Sequence, residues 1–418
     1  MLQHKKSVPA ARPSDLKLNN RRQILELFKF GRVHSVAGLA REVGVSRQTV
    51  MKSIQYFLEK GIIISDGKAD SGSMGGKRAE LFKLSGDRYL LSLTVFSDVV
   101  AITLVNFRCE VVESRKLTGT RDMEADALVE AVSAECERML AGRGIPMDDV
   151  KGMCVTASSI VGADGASRRN PFFPDWGSRL PIEEAFRKRL GGNMQVILEN
   201  LGKVCGCASL QTVEPVGERL AALLTYRDDI SVCLIVGEQI VNGKDDYIDE
   251  FGHMIIASED DEICSCGSRG CLERQVSAAR LRRLCAQRAD QFPQSPLTAL
   301  LPDAMTAQDV FRASAAGDPL ARSLSEYTAG CFAKAFRNLA LIFIPDQVVF
   351  QGDYAEADPY FVEALREELR AFRCFNRDGQ PRVPFVLSVD SRPLKTLSTV
   401  GAYTLLIDRL LLDEAAFV

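Results

Sequence analysis

The chain predicts an α/β body that carries a small winged helix-turn-helix head at its N-terminal end. Three features predict it: a helix–glycine–helix pattern followed by a hairpin pattern within the first 85 residues, regular alternation of strand-like and helix-like runs from about Arg88 onward, and a division of charge between the two parts. Residues 1–85 hold 16 Lys and Arg against 7 Asp and Glu, a balance of +9, whereas the remainder holds 36 against 48, a balance of −12. A basic head on an acidic body points to a polyanionic partner for the head alone, with a merely solvated charged face as the alternative.

The hydrophobic pattern of the head favours the first reading. Asn20–Phe30 is a helical run with Ile24, Leu25, Leu27 and Phe28 apolar. In SVAGLAREVGVSRQTVMKSIQYFLEKG, Ser35 can cap a short helix through Val43 whose inner side is Val36, Leu39, Ala40 and Val43. Gly44 permits a sharp turn. Ser46 then caps a second helix with Val50, Ile54, Phe57 and Leu58 at spacings of three and four. Its outward residues include Arg47, Gln48 and Lys52. Arginine can pair bidentately with guanine and glutamine with adenine, so this face can read a major groove. IIIS and ELFKLS flank a glycine-rich loop and predict a β-hairpin wing, with Lys77 and Arg78 placed to meet phosphates or a minor groove. A small helical domain used for protein contacts is the alternative.

In the body, the stretch from Tyr89 to Leu117 predicts two or three strands, residues 124–140 an amphipathic helix, and VKGMCVTAS a buried strand. VILEN, LAALLTY and SVCLIV continue the alternation, followed by long helices around 275–290 and 308–340. No run of about 18 uninterrupted apolar residues predicts a membrane-spanning helix. The start MLQHKKSVPAARPSD has positive charge with no apolar stretch behind it, unlike a secretory signal. Twelve cysteines without the spacing of a small disulfide framework fit a reducing compartment, so a cytoplasmic protein is expected.

The densest chemistry lies in HMIIASEDDEICSCGSRGCLE, residues 253–273. Cys264, Cys266 and Cys271 form a Cys-x-Cys-x4-Cys cluster. His253, one of only three histidines, precedes it by eleven positions. Three thiolates and an imidazole complete the tetrahedral shell of a structural zinc ion, and four protein ligands leave no open position for a catalytic one. A set of buried free thiols is the alternative.

Here the chain resembles the ROK family, which groups sugar-responsive repressors with sugar kinases. The resemblance rests on EFGHMII followed by CSCGSRGCLE, similar to the family's Glu-x-Gly-His and Cys-x-Cys-Gly-x-x-Gly-Cys-Leu-Glu signature, and it extends over nearly the whole chain. It implies a two-lobed, actin-like sugar-kinase fold, with zinc held by His253, Cys264, Cys266 and Cys271. A sugar would be held by Glu250, His253 and Glu273, and by Asn200 in VILENLG; such groups accept hydrogen bonds from sugar hydroxyls. The winged head marks the family's repressor branch.

Departures from the pattern matter equally. At the position of the family's catalytic Asp stands Leu201, which cannot accept a proton. The first phosphate loop reads SLTVFSD, without glycine, so Thr94, Val95 and Phe96 project side chains where backbone should approach a phosphate. The second reads TYRDDISVCLIVG, with Asp228 and Asp229 repelling phosphate, and the nucleoside loop VVFQGDY keeps only Gly352. In the stretch Pro171 to Trp176, Phe172 stands where the family has a sugar-binding Asn. These residues predict a non-enzymatic, DNA-binding regulator, in this family most often a repressor, whose body senses a sugar or related ligand and which binds a pseudo-palindromic double-stranded DNA operator as a homodimer or higher homo-oligomer. The alternatives are a sugar kinase with a DNA-binding arm, or a body that docks a partner protein. The expected division is residues 1–85 as head, 86–197 with a C-terminal helix at 395–418 as small lobe, and 198–394 as large lobe with metal site, ligand pocket and dimerisation surface.

Overall fold

The computed structural model describes residues 13–69, 78–96, 98–121, 123–158, 160–161, 167–169, 181–191, 194–227, 229–241, 250–257, 262–300, 304–372, 374–375, 381–382 and 385–411. The head contains α1 (Pro13–Leu27), β1 (His34–Ser35), α2 (Val36–Val43), α3 (Arg47–Glu59), β2 (Ile63–Lys68) and β3 (Glu80–Leu84). Ser35 Oγ accepts from the Gly38 N–H at 3.2 Å and Ser46 Oγ from the Thr49 N–H at 3.1 Å, so both expected caps form. Between the helices Gly44 adopts φ 74°, which reverses the chain. The inward stripe of α3 is Val50, Ser53, Ile54 and Phe57. Leu58, expected inside, is 40% exposed: the small core accepts a narrow stripe, and the next residue round the helix turns to solvent. The three strands form an antiparallel sheet in the order β1-β3-β2, the wing.

The first sheet of the body has the order β10-β7-β4-β5-β6. Its members are β4 (Tyr89–Val95), β5 (Val99–Asn106), β6 (Val111–Thr118), β7 (Val150–Ala157) and β10 (Gln195–Asn200). β4, β5 and β6 are an antiparallel meander, while β7 and β10 join in parallel. β10 remains paired to β7 as far as Asn200, three residues past the expected boundary at 197. α4 (Ala125–Ala141) and α5 (Ile182–Leu190) close one face, and α12 (Leu394–Leu411) lies on the other. β8 (Ile160–Val161) and β9 (Ser167–Arg169) form a small separate hairpin.

The second sheet has the order β13-β12-β11-β14-β17. It is built from β11 (Arg219–Tyr226), β12 (Asp229–Val236), β13 (Gln239–Ile240), β14 (Gln347–Gly352) and β17 (Val386–Asp390). α6 (Leu201–Thr212) covers one face. α10 (Pro319–Ile342) and α11 (Pro359–Arg370) cover the other through an aromatic core of Phe332, Phe336, Phe350 and Phe361. α7 (Leu272–Gln275), α8 (Ala278–Arg288) and α9 (Ala307–Ala315) pack around α10, and β15 (Cys374–Phe375) with β16 (Pro381–Arg382) makes a short hairpin. The single helix expected over 308–340 is two helices, α9 and α10. Asp318 caps α10, accepting from the Ala321 N–H at 2.8 Å, and Pro319 begins it. Proline suits the first turn of a helix and breaks the interior.

Two helices bind these layers together. α6 from the second sheet and α12 from the first cross in contact, and Gly401 of α12 lies flat on α6: a Cβ there would stand 1.8 Å from the Val204 carbonyl oxygen. α12 also holds the head. Ile24, Phe28, Leu39 and Phe57 of the head share one continuous core with Leu90 and Phe107 of the first sheet and Tyr403, Leu406 and Leu410 of α12. Lys29 pairs with Asp408, the Phe30 and Tyr403 rings lie 4.9 Å apart, and the Tyr403 hydroxyl donates to the Phe107 carbonyl at 2.7 Å. The buried crossing makes a strong test. Gly401→Ala inserts a methyl against main chain that cannot yield cheaply, and it should cost about 1–3 kcal/mol in urea unfolding. No loss of stability would show that the crossing is looser than described.

Candidate functional site

The signature residues gather at the hairpin end of the second sheet. A 3-10 turn over Glu250–His253 follows the β12–β13 region and leans on β12 through buried Phe251. The main chain then makes antiparallel bridges at Ile255–Cys271 and Ile263–Arg269. Between the latter two the Cys264 N–H donates to the Ser268 carbonyl at 2.8 Å, closing a tight knuckle. Gly270 has φ 77°, and a Cβ on it would lie 1.9 Å from the Ala257 carbonyl, so this return needs glycine. The knuckle brings Cys264 Sγ to 3.4 Å from His253 Nδ1, and Cys266 Sγ to 3.6 Å from Cys271 Sγ. The ligand atoms of all four residues lie within 4.8 Å of one another. This group could hold a metal ion. Its donor set of three sulfurs and one imidazole nitrogen fits a soft or borderline tetrahedral cation.

The sulfurs are not equivalent in their protonation. Burial pushes the Cys271 thiol up to about 12, in company with its thiol neighbours. Burial acts the same way on Cys266, but hydrogen bonds from Ser268 and from the neighbouring thiols outweigh it and hold this thiol below its ordinary value. A bound cation would keep both as thiolates, so metal capture should release protons.

The cluster also positions carboxylates. His253 places Nε2 3.0 Å from Glu250 Oε2 while Nδ1 lies 3.4 Å from Cys264 Sγ, so one ring links the cysteine cluster to Glu250. Cys271 begins α7, which carries Glu273. The Glu273 carboxylate lies over Gly252, where a Cβ would meet Oε2 at 2.9 Å. Glu250, His253 and Glu273 are therefore brought together. Asn200 reaches the same end of the sheet from the opposite face. Its Oδ1 is committed to the start of α6, accepting from the Gly202 N–H at 2.6 Å and the Lys203 N–H at 3.3 Å. Glu262, which sequence reasoning passed over, ties the cysteine knuckle to α7 and α8 through Arg274 at 2.8 Å and through Arg283. Only its place between Asp261 and Cys264 hinted at a role.

Leu201 is 1% exposed and packs with Leu224 and Leu397 under Phe96 and Tyr226. The position resembling a catalytic carboxylate is thus part of an apolar core between the two sheets. In the head, Ser46, Arg47, Gln48 and Lys52 line the outer side of α3 and are exposed, as are Met51 and Gln55 on the same side, which the sequence reading did not single out. Arg78 is exposed beside the wing. Lys77, Asp228 and the stretch Pro171–Trp176 with Phe172 lie outside the described residues.

Comparison with known proteins places this architecture. The ROK family profile matches residues 97–408, and the chain belongs to the ROK family. It is 21% identical over 354 residues to a protein named "Putative xylose repressor" from Caldicellulosiruptor sp., covering 84% of this chain and 87% of that one. It is 22% identical over 290 residues to a glucokinase of Halalkalibacterium halodurans, covering 68% and 86%. A crystal structure of a ROK family transcriptional regulator, described as a homolog of the E. coli MLC protein, superposes with TM-score 0.78 over 96% of this chain and 99% of that one, at 18% identity. A ROK family glucokinase from Streptomyces griseus superposes with TM-score 0.61 over 75% of this chain and 98% of its own, at 19% identity. The fold is therefore the ROK sugar-kinase body, here preceded by the winged head.

The thiolate set carries a spectroscopic test. Co2+ added to metal-depleted protein should give the intense visible bands of a tetrahedral thiolate site, and Cys271→Ser should lose them. Bands unchanged by that substitution would place the cation elsewhere.

Proposed function

We propose that this chain is a DNA-binding transcriptional regulator of carbohydrate-related genes, a repressor by preference, in which the sugar-kinase body senses a ligand and does not phosphorylate it. The observation that carries the reading is the exposed Arg47–Gln48–Lys52 face of α3 on a head packed into the same core as the body. A head packed this way follows movements of α12 rather than swinging on a free linker. Relatives named as xylose repressors, and one named as a DNA-binding transcriptional dual regulator, support the reading. The division into head, small lobe and large lobe is part of it, as are a cytoplasmic location and assembly as a homodimer on a pseudo-palindromic operator, where two-fold symmetry matches two half-sites. Among the described residues no helix is long and apolar enough to cross a membrane.

In this reading His253, Cys264, Cys266 and Cys271 hold one structural zinc ion per chain. Zinc would supply rigidity rather than chemistry, fixing the orientation of His253 and of the turn into α7. Glu250, Glu273, His253 and Asn200 would accept or donate to the hydroxyls of a sugar or derivative. A ligand shifts the heads only through its different affinity for two arrangements of the body, so a sensing pocket must contact both sides of a moving boundary. The position of Asn200 at the junction of β10 and α6, between the two sheets, supports such a role for it.

A second reading has its own support: glucokinases are among the relatives, so a kinase with a DNA-binding arm is the competing function. Buried Leu201 and the glycine-free SLTVFSD loop favour the regulator. The purified protein should show no ATP turnover with any sugar. Leu201→Asp should not restore it, since phosphoryl transfer depends on positioning that one carboxylate cannot supply. ATP turnover by the unaltered protein would establish the kinase. On the DNA side, Arg47→Ala should weaken operator binding by about 1–3 kcal/mol and relax base preference, whereas Arg78→Ala should weaken all sequences alike and reduce the salt slope by about one. Binding isotherms at several salt concentrations separate these, and an Arg47→Ala protein with unchanged affinity and preference would remove α3 from the groove.

A further inference from the structure

The two turns that face each other across the cleft, β4–β5 in the first sheet and β11–β12 in the second, are in contact. In a sugar kinase of this fold two such turns cradle phosphate, and a bare cradle would stand open. Here the Phe96 and Tyr226 rings lie 5.3 Å apart across the boundary. Both rest on an apolar floor of Leu201, Leu224 and Leu397, contributed by α6, the second sheet and α12. Beside the rings, Arg227 Nη2 lies 3.6 Å from Asp98 Oδ1, joining the same two turns by charge.

Arg227 has a second tie. It adopts φ 54°, the left-handed region that favours glycine. Its backbone N–H donates to Asp353 Oδ2 at 2.6 Å, and Asp353 Oδ1 accepts from Gln308 Nε2 at 3.0 Å. Asp353 follows Gly352 in the third loop of the kinase pattern. A backbone N–H in a tight turn, held by an anionic oxygen, is the arrangement with which such loops bind phosphate. Here the anion is a side chain of the protein.

We propose that the former nucleotide cleft is closed by its own residues: Phe96 and Tyr226 clasp the two lobes, and the carboxylates of Asp98 and Asp353 take the place of nucleotide phosphates around Arg227. The ion pair is half exposed on both sides, so the rings and the leucines beneath them provide most of the hold. The clasp keeps the lobes closed without nucleotide. Because Leu397 and Ser398 of α12 sit directly beneath it, with Thr94 Oγ1 donating to Ser398 Oγ at 2.8 Å, the closed state is also the state in which α12 is held. The inference is independent of whether the head binds DNA.

Hydrogen–deuterium exchange on the full chain tests it, with and without the magnesium complex of a non-hydrolysable ATP analogue. In the unaltered protein the analogue should change exchange in neither turn. Phe96→Ala should deprotect both turns together, the one in the first sheet and the one at Tyr226–Asp229, while α4 and α5 keep their protection. Asp98→Asn, a milder change at a half-exposed site, should deprotect the same two turns to a smaller degree and serves if Phe96→Ala fails to fold. Deprotection confined to the substituted turn in either variant, or protection of the turns by the analogue in the unaltered protein, would overturn the clasp.

Discussion

The close crossing of α6 and α12 is the constraint on which the remaining structure depends. Each helix is packed on a different sheet, and they meet where Gly401 lays bare main chain against Val204. α6 is equally tight on its own sheet: a Cβ on Gly206 would lie 2.1 Å from Cys233 Cβ, and one on Gly202 2.0 Å from Ser231 Oγ. Small residues on both sides of one helix leave it little freedom to slide, because packed interiors have no spare volume. The two sheets are therefore coupled through a rigid element rather than through a linker.

From that crossing α12 continues outward to the head. Tyr403 joins three parts, packing its ring at a tilt against Phe30, accepting from the Phe30 N–H at 3.3 Å and donating to the Phe107 carbonyl in the first sheet. One turn further, burial works to keep the Asp408 carboxyl above its ordinary value, while the charge of Lys29 opposes this. A carboxylate in that position is tolerated because a cation is held against it, and removal of either partner would leave the other poorly solvated. The position of the head relative to the body is set by these contacts, and the helix that makes them begins in the cleft between the lobes.

At the β11–β12 end of the second sheet the cysteine knuckle does for the turn over Glu250–His253 what α12 does for the head. It converts a loop with little apolar content into a fixed support, with His253 shared between the sulfurs and Glu250 and with Glu262 anchoring the knuckle to α7 and α8. Neither the turn over Glu250–His253 nor α7 is long enough to hold a side chain in place by its own hydrogen bonds; short helical pieces depend on tertiary packing.

Much was legible along the chain because it is local. Serine caps at Ser35 and Ser46, the turn at Gly44, the stripe Val50–Ile54–Phe57 and the strand runs of both sheets follow from short-range preference and periodicity. The four candidate metal ligands were legible because cysteine and histidine at such spacing have few other uses. What was misread was decided at the margins of local rules. Leu58 matched the stripe but faces water, and the helix expected across Gly317–Pro319 is two because a cap and a proline begin a new one. Asn200 could be picked out as polar, but not as the cap of α6, since that depends on where β10 stops. Leu201 could be recognised as unable to act as a base. That it floors a cleft bridged by Phe96 and Tyr226 was invisible, since those residues lie more than a hundred positions apart. The sequence by itself determined the elements, the donor set and the basic face of α3, all of which arise within a few residues of one another. The tertiary structure alone decided how head, lobes and cleft are joined, because the Gly401–Val204 approach, the Tyr403 contacts and the Arg227 contacts are made between segments that meet only when the sheets pack.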